Sequence, residues 1–477
     1  MRRGRRVEIS VLAALGLIAA CLFAVIALLF AYDVADRRGL LASAAVLQTP
    51  SGPSRPTPVE LIPSPTPTWT PTPVAVPRPT NTLVIPKELV NDRLIQDIEL
   101  KMVALRNLPL LQPVPKRFLT KEDLRQLLAA WYAQDNPAEE TLARQQLYVE
   151  LGFIREEDDL DAIQSDLMAR NMAGLYSALD KNLYIVSERW NMTAAEEMTL
   201  SHELTHALQD QHYNLLSLDE RARTLDAHLA VLSLIEGDAT LSMSFYAVGN
   251  LSQHDVDEMI SRAAQFKPDQ LVNVPPAITR MTLFPYEAGL RFVQTLYGQT
   301  RDWRLVNTAY GVPPLSTEQI LHVEKYLTEP DVPLPVALPA LDDVMGGSWK
   351  EVTRGVLGEF LMGLHLEPEL SRAEASQSVA GWGGDSYSLL TDHLGRRLLV
   401  LRSVWDTRAD AQEFFNAYAT KMERIPVTQQ ILLQQGKGYW RLPNREVYLG
   451  VNEQNALVII APDRIALDRA LYWFPGY

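Results

Sequence analysis

Apolar and polar positions divide the chain into a helical part and a part in which helices alternate with strands. Between residues 88 and 326, apolar side chains recur mainly at helical spacing, as in Leu119–Gln134 and Glu139–Leu151. The segment Leu225–Tyr246 has the same spacing and lacks proline, which predicts a buried helix. Together these patterns predict a mainly helical domain over residues 87–330.

A proline-rich break from Glu329 to Pro339 precedes a C-terminal domain, predicted over residues 340–477. The glycines of Trp382–Asp385 predict a turn between helix and sheet. The predicted elements, in order, are a helix at Trp349–Leu364, strands at Tyr387–Leu390 and Arg397–Trp405, a helix from Thr407 to Met422, strands at Tyr439–Leu442, Val447–Val451 and Ala456–Ile460, and a terminal helix. The fold class is therefore α+β, with a smaller antiparallel α+β domain after the helical one.

The N-terminus has the pattern of a membrane anchor. Residues 1–8 carry four arginines, and the apolar run 9–32 contains no charge. The run is longer than the about 20 residues that span a bilayer, so we expect a single transmembrane helix with a cytoplasmic N-terminus and an extracytoplasmic bulk. Two alternatives stay open: a cleaved signal peptide, and a lipoprotein acylated at Cys21, where Ile18–Cys21 resembles a bacterial lipobox.

A proline- and threonine-rich stalk is predicted over residues 33–86, most clearly between Ser51 and Thr82. This composition cannot bury a core and favours polyproline II, which would reach up to about 100 Å at roughly 3.1 Å per residue. The stalk would hold the rest of the chain clear of the membrane.

Charge and cysteine content narrow the class of protein. The net charge of −14 and a pI near 5.2 argue against nucleic acid as a partner, because nucleic acid binds a basic surface. The lone cysteine excludes an intramolecular disulfide, so the stability of an exported domain must come from its core and from any metal that it binds.

One short motif carries most of the chemical information. His202 and His206 are separated by one helical turn, and Glu203 lies between them in the sequence HELTH. On a helix the two imidazoles project from one face and can share a tetrahedral zinc ion, while the carboxylate can reach a metal-bound water. This pattern predicts the core of a zinc hydrolase.

The surroundings of the motif predict a rigid support for it. Gly174–Ser177 and Leu183–Val186 flank a turn and predict a short hairpin. Thr193 and Glu196 then form a capping box, which predicts a helix from about Ala194 to Gln211 with both histidines in its interior.

A zinc ion held by two histidines needs a third protein ligand and an open position. Glu236 is the leading candidate, because a carboxylate inside the apolar segment Leu225–Tyr246 is costly to bury unless it is paired or binds metal. His228 and His212 are competitors. The first lies two turns from Glu236 on the same predicted helix, and the second follows the motif closely.

These residues resemble the gluzincin group of zinc metallopeptidases, in which HExxH is followed by a glutamate in a Glu-Gly-x-Ala setting. The resemblance covers roughly residues 170–245. It implies a zincin fold for the helical domain, with a small twisted sheet over the motif helix and a second helix that brings Glu236. The segments Phe284–Gly289 and Pro313–His322 are similar to segments of uncharacterised bacterial membrane-anchored zincins, and that similarity names no substrate.

The expected chemistry follows from this ligand set. Zinc held by His202, His206 and Glu236 would acidify its water and polarise a scissile carbonyl. Glu203 is the expected general base. Tyr286 and His322 are nominees for stabilising the oxyanion, although Tyr286 fits equally well as a core aromatic and His322 as a helix-capping residue.

Three further polar residues are candidates for orienting the ligand side chains: Asp238, Thr240 and Asp210. Each could equally be a capping or solvated residue. The sequence also leaves open whether a segment such as Leu94–Arg117 blocks the cleft in a latent form.

The function favoured by the sequence is a membrane-anchored, extracytoplasmic zinc metallopeptidase that hydrolyses peptide bonds. One alternative is a non-catalytic surface binding or assembly protein on a zincin scaffold. Another is a zinc amidase that acts on cell-wall material, since it would use the same four residues. The oligomeric state and the cleavage preference are not encoded in any pattern we recognise.

Overall fold

The computed structural model describes residues 87–135, 138–170, 174–186, 192–265, 274–328, 330–434 and 436–477. The predicted basic N-terminus, anchor and stalk, residues 1–86, lie outside these ranges, so the expectations about them stay predictions. Within the described ranges, no helix is both long enough and apolar enough to cross a membrane.

The first part of the described chain consists of helices and a three-stranded sheet. Its described helices are α1 (Lys87–Arg106), α2 (Lys121–Asp135), α3 (Ala138–Glu150), α4 (Leu160–Arg170), α5 (Ala194–Tyr213), α6 (Leu215–Arg221), α7 (Leu225–Asn250), α8 (Gln253–Gln265), α9 (Pro276–Thr300), α10 (Arg304–Gly311), α11 (Thr317–Leu321) and α12 (Glu324–Leu327). Its described strands are β1 (Lys116–Leu119), β2 (Gly174–Ser177) and β3 (Asn182–Val186).

The three strands are ordered β1-β3-β2, so β2 lies at an edge of the sheet. Strand β1 runs parallel to β3, and β2 and β3 form an antiparallel hairpin in which Ser177 pairs with Asn182. The predicted hairpin is confirmed. Strand β2 packs against α5, which brings this edge of the sheet to the helix that carries the histidine pair.

Helix α5 begins where its capping box predicts. The Thr193 side chain accepts from the Glu196 backbone N–H, and the Glu196 carboxylate accepts from the Thr193 N–H at 2.6 Å. The helix ends at Tyr213 and is capped by Asn214, whose left-handed backbone (φ 54°) donates its N–H to the Asp210 carbonyl oxygen. The Asn214 side chain accepts from the Ser217 N–H and so caps the start of α6. Its middle, from Met198 to Asp210, is buried, so the histidines lie on a fixed support.

Helix α7 occupies the centre of the helical part. It begins at the N-cap Thr224, and nearly all of its residues from Asp226 to Ala247 are buried. Helices α1, α5, α9 and α11 all pack against it. The buried helix predicted at Leu225–Tyr246 is therefore confirmed.

The second part is built on a seven-stranded antiparallel sheet of order β4-β5-β6-β10-β9-β8-β7. Its strands are β4 (Trp349–Gly355), β5 (Trp382–Asp392), β6 (Arg397–Trp405), β7 (Gln429–Gln434), β8 (Lys437–Leu442), β9 (Arg445–Asn452) and β10 (Asn455–Ala461). Its described helices are α13 (Leu341–Met345), α14 (Gly358–Leu366), α15 (Arg372–Val379), α16 (Arg408–Arg424) and α17 (Arg464–Leu471). The predicted order of a helical region followed by an antiparallel α+β region is confirmed.

Two predictions for this second part are wrong. The helix predicted at Trp349–Leu364 is strand β4 followed by helix α14, because its first half pairs with β5 and uses its backbone hydrogen bonds in the sheet. The turn predicted at Trp382–Asp385 is part of β5. A Cβ at Gly384 would lie 2.3 Å from the Leu334 carbonyl oxygen, so the glycine permits a close backbone contact instead of a turn.

The two parts share one continuous apolar core, which includes residues from Ile95 to Ile460. Phe284 of α9 stacks on Phe360 of α14, with ring centroids 3.9 Å apart. The Lys325 ammonium lies 2.6 Å from both Glu318 and Asp406 and so links the two parts by ion pairs. The proline-rich linker therefore joins parts that are packed together.

Candidate metal centre

The structure brings His202, His206 and Glu236 together. The Nε2 atoms of the two imidazoles are 3.0 Å apart. The Glu236 Oε2 atom lies 3.1 Å from His202 Nε2 and 3.5 Å from His206 Nε2. Helix α5 thus supplies two members of this triangle, and α7, packed across it, supplies the third.

These three atoms fit a single zinc ion. With bonds of about 2.0 Å, the ligand atoms of a tetrahedral zinc ion lie about 3.3 Å apart, close to the three separations observed. Two imidazole nitrogens and a carboxylate oxygen are also donors that zinc prefers. Glu236 Oε1 is buried and has no hydrogen-bond partner among the described residues, so the carboxylate is not satisfied by the protein alone.

The pKa values of the residues in the triangle are shifted by burial and by the neighbouring charges. Glu236 is completely buried, and each histidine is at most 4% exposed. Burial opposes ionisation of Glu236, yet the imidazoles beside it lower its pKa to about 2. Burial likewise opposes protonation of His206, but the Glu236 carboxylate raises the His206 pKa to about 9. The site therefore holds a buried carboxylate that requires a positive partner.

Glu203 lies beside the triangle and is held by the edge strand. One of its carboxylate oxygens is within 4.8 Å of a ring nitrogen of each histidine. Its Oε2 atom accepts from the Tyr176 backbone N–H of β2 at 2.6 Å. Burial raises the pKa of Glu203 to about 7, although His206 acts in the opposite direction. The Glu236 carboxylate lies closer to the imidazoles than the Glu203 carboxylate does. Glu236 is therefore the candidate third ligand, and Glu203 lies beside the ligand set.

A narrow cleft of about 10 Å³, room for about one water molecule, lies beside Glu203, between the hairpin and α5. Its lining contains Glu203 but not the other three residues of the centre: Gly174, Leu183, Tyr184, Ile185, Val186, Met192, Glu196, Thr199, Leu200 and Glu203. Glu203 is therefore the residue of the centre that borders this cleft.

Gln209 is a functional residue that the sequence analysis missed. The Nδ1 atom of His206 donates to Gln209 Oε1 at 2.8 Å, and Gln209 Nε2 donates to the Ile235 carbonyl oxygen at 3.0 Å. This arrangement holds a proton on Nδ1 and turns Nε2 into the triangle, which is the orientation that a metal ligand needs. A polar residue three positions after the second histidine, on the same helix face, was the available signal.

The three predicted orienting residues have other contacts. Asp210 accepts from the hydroxyl of Tyr176 and from Lys181, both at 2.7 Å, and so fastens the hairpin to α5. Asp238 pairs with Arg106. The Thr240 hydroxyl has no hydrogen-bond partner within the described ranges. None of these contacts is to a ring of the histidine pair.

Of the two oxyanion nominees, the structure brings Tyr286 to the site. Its ring stacks on the His202 imidazole, with centroids 6.2 Å apart, and its hydroxyl lies close enough to the Glu236 and Glu203 carboxylates to be affected by their charge. Burial, together with the Glu236 and Glu203 carboxylates, raises the Tyr286 pKa well above its ordinary value, which keeps the hydroxyl protonated.

The remaining histidines are placed elsewhere. His322 contacts Glu359 of α14 at 2.9 Å, at the junction with the second part, and the structure does not group it with the triangle. His228 contacts Asp219 at 2.7 Å, and His212 contacts the Pro109 carbonyl oxygen at 2.7 Å. Neither competitor occupies the place of the third ligand.

Residues 346–471 match the model of a family described as a domain of unknown function, DUF8575. This range lies wholly in the second part of the chain and includes no residue of the triangle. No curated protein and no solved structure matches the chain. The comparisons thus name no activity, and the assignment of one depends on the geometry of the centre.

Proposed function

We propose that the chain is a zinc metallopeptidase whose helical part is a zincin-like catalytic domain. The observation that carries the proposal is the triangle formed by His202, His206 and Glu236, with separations suited to one tetrahedral ion. Glu203, beside the triangle, supplies the general base that a hydrolytic zinc site also requires.

The roles of the residues follow from their contacts. His202, His206 and Glu236 would hold the zinc, which when bound supplies a Lewis acid for the scissile carbonyl and for water. Glu203 accepts the proton of the attacking water and passes it to the leaving amine. Because its Oε2 is fixed by the Tyr176 N–H, its other oxygen is the one available for this transfer.

Tyr286 is proposed to stabilise the oxyanion. Its hydroxyl lies near Glu236 and stays protonated, so it can donate a hydrogen bond beside the ligand set. His322, at the junction of the two parts, has no place in this mechanism.

The proposed setting is the outer face of a membrane. Residues 9–32 would anchor the chain with residues 1–8 in the cytoplasm, and the stalk 33–86 would carry the catalytic domain. Acylation at Cys21 would give the same orientation by a different anchor. In either case the substrates would be extracytoplasmic peptides or proteins.

A non-catalytic scaffold is the second candidate function, and one observation favours it. Each residue of the centre, Glu203 included, is at most 4% exposed, so a substrate reaches it only after the cleft widens. A zinc amidase acting on cell-wall material shares all four residues and differs only in substrate.

Hydrolysis by the purified full-length chain tests these proposals. We expect the native chain to cleave members of a peptide library, and Glu203→Gln to be slower by about 10²- to 10⁴-fold, the usual contribution of a general base. Glu197→Gln is the matched control on the same helix, because the Glu197 carboxylate contacts the Tyr246 hydroxyl outside the triangle.

Each other outcome contradicts one part of the proposal. Undiminished hydrolysis by Glu203→Gln would remove its role as base. Cleavage of a cell-wall digest without peptide cleavage would identify the amidase. A chain that binds zinc but cleaves neither substrate would be the scaffold.

A further inference from the structure

Arg106 and Asp238 form an ion pair that is completely buried. Both side chains have no exposed surface, and two bonds join them: Nε to Oδ1 at 2.7 Å and Nη2 to Oδ2 at 3.0 Å. The Tyr310 hydroxyl donates a third bond to Oδ2 at 2.7 Å. The second terminal nitrogen of Arg106, Nη1, has no hydrogen-bond partner among the described residues. A buried charge is costly to separate from its partner, so the two bonds to Asp238 fix the relative positions of the backbones that carry the pair.

The Arg106 side chain joins α1 to α7, and α1 itself packs against both helices of the metal centre. Arg106 is the last residue of α1, and its guanidinium lies 4.3 Å from the ring of Trp303. Its two bonds to Asp238 reach the middle of α7. Helix α1 also packs against α5, so the helix that carries Arg106 contacts the helix of the histidine pair and the helix of Glu236.

Asp238 and Glu236 lie on opposite faces of α7. Successive residues of an α-helix are rotated by about 100° around the helix axis, so the side chains of residues two apart point in directions that differ by roughly 200°. The face with Asp238 is held by Arg106, and the face with Glu236 meets the imidazoles. A rotation of α7 that disturbs the ion pair therefore moves the Glu236 carboxylate out of the triangle.

Two other contacts reach α7 beside Glu236. Gly237 faces α9 without a side chain, and a Cβ there would lie 2.2 Å from the Gly289 carbonyl oxygen, so this contact fixes the distance between the two helices. Gln209 of α5 donates to the Ile235 carbonyl oxygen and so holds the backbone of α7. The ion pair adds to these a bond between charged side chains on the face opposite Glu236.

We propose that Arg106 is a positioning residue for the metal centre, acting through Asp238 to hold Glu236 at the imidazoles. This inference rests on the proposed zinc site. It also assigns a role to α1. The sequence left open whether the segment Leu94–Arg117 blocks the cleft in a latent form. Under this inference the segment instead contains a residue that the assembled site requires. Removal of α1 would abolish zinc binding instead of activating the enzyme.

Zinc affinity of the full-length chain, measured by competition with a chromophoric chelator, tests the inference. Lysine cannot form the two parallel bonds or the flat contact with Trp303, so Arg106→Lys should weaken zinc binding about 10- to 100-fold, as loss of residues behind metal ligands usually does. Arg397→Lys is the matched control, because Arg397 pairs with Glu150 at 2.6 Å in the sheet region. It should lower the thermal midpoint and leave zinc affinity unchanged.

A purely structural role for Arg106 predicts a different result. Arg106→Lys would then lower the thermal midpoint of the zinc-free chain while binding zinc as tightly as the native chain, and the inference would be overturned. If Arg106→Lys does not fold, Tyr310→Phe removes one donor to Asp238 and keeps the ring, and it should weaken zinc binding several-fold. Unchanged affinity in that variant also overturns the inference.

Failure of the proposed function gives a separate signal. A native chain that binds no zinc refutes the metal site itself. A native chain that binds zinc but cleaves no peptide, with affinity reduced in Arg106→Lys, refutes the peptidase and retains the positioning role.

Discussion

Two glycines determine how closely the helices with Glu236 and Tyr286 approach each other. A Cβ at Gly289 of α9 would lie 2.1 Å from the Ser233 carbonyl oxygen of α7, and a Cβ at Gly237 would meet Gly289 at 2.2 Å. Such separations leave no room for a methyl group. Gly237 is next to Glu236 on α7, and Gly289 is three residues from Tyr286 on α9. The close contact between the two glycines therefore places Tyr286 near Glu236.

We expect Gly289→Ala to destabilise the chain. The added methyl group meets backbone atoms that must move, at a cost of about 1–3 kcal/mol, which lowers the thermal midpoint by about 2–4 °C per kcal/mol. Gly298→Ala is the control on the same helix, since a Cβ there meets nothing within 4 Å and alanine favours a helix. Equal midpoints for the two variants, measured by calorimetry, would contradict this account of the contact.

The residue types alone predicted the four residues of the metal centre, but not the residues that hold them in place. His202, Glu203 and His206 are recognisable from spacing, and Glu236 from the cost of burying a lone carboxylate. Their grouping in space required the structure, because a separation of 34 residues between His202 and Glu236 has no periodic signal. Arg106 lies in another helix far along the chain, and nothing in its own sequence neighbourhood distinguishes it from a surface arginine.

At the scale of elements, local signals predicted helices and strands alike where those signals are strong. The capping box placed the start of α5 at Ala194, and the absence of proline with continuous apolar spacing predicted α7. Strand β4 was assigned to a helix because a strand in a sheet depends on its partner, here β5. Strand β7 was missed, since most of its residues are exposed and its sequence QQILLQ does not alternate.

At the scale of the whole molecule, buried acids concentrate where the two parts meet. Asp226, Glu318, Glu359 and Asp385 are each at most 2% exposed. Burial raises the pKa of Asp226 and of Glu318 to about 8, and that of Asp385 to about 6. Lys325 lies 2.6 Å from Glu318 and is a nearby cation that offsets part of this cost.

Stability should therefore fall as the pH rises from about 4 to about 8. The folded chain holds the protons of these acids more tightly than the unfolded chain, so their stabilising effect is complete below a pH of about 4. It is lost as the pH rises through about 6 for Asp385 and about 8 for Asp226 and Glu318. We expect the thermal midpoint to decrease between about pH 5 and about pH 8.

The variant Asp226→Asn isolates this effect. Its amide oxygen can still accept from the Thr317 N–H and hydroxyl, but it cannot ionise, so the midpoint should decrease less with pH than in the native chain. Asp468→Asn is the control, because Asp468 forms an exposed pair with Arg464. If Asp226→Asn and Asp468→Asn gave the same pH dependence, Asp226 would not be the titrating group.

The central claim is that His202, His206 and Glu236 hold one metal ion with Glu203 beside it. Its most direct test is the zinc content of the full-length chain, compared between the native protein, Glu236→Gln and Glu203→Gln. We predict equimolar zinc in the native chain and in Glu203→Gln, and little or none in Glu236→Gln, since a neutral amide is a poor zinc ligand. A native chain without equimolar zinc, or a Glu236→Gln chain that retains it, would contradict the account.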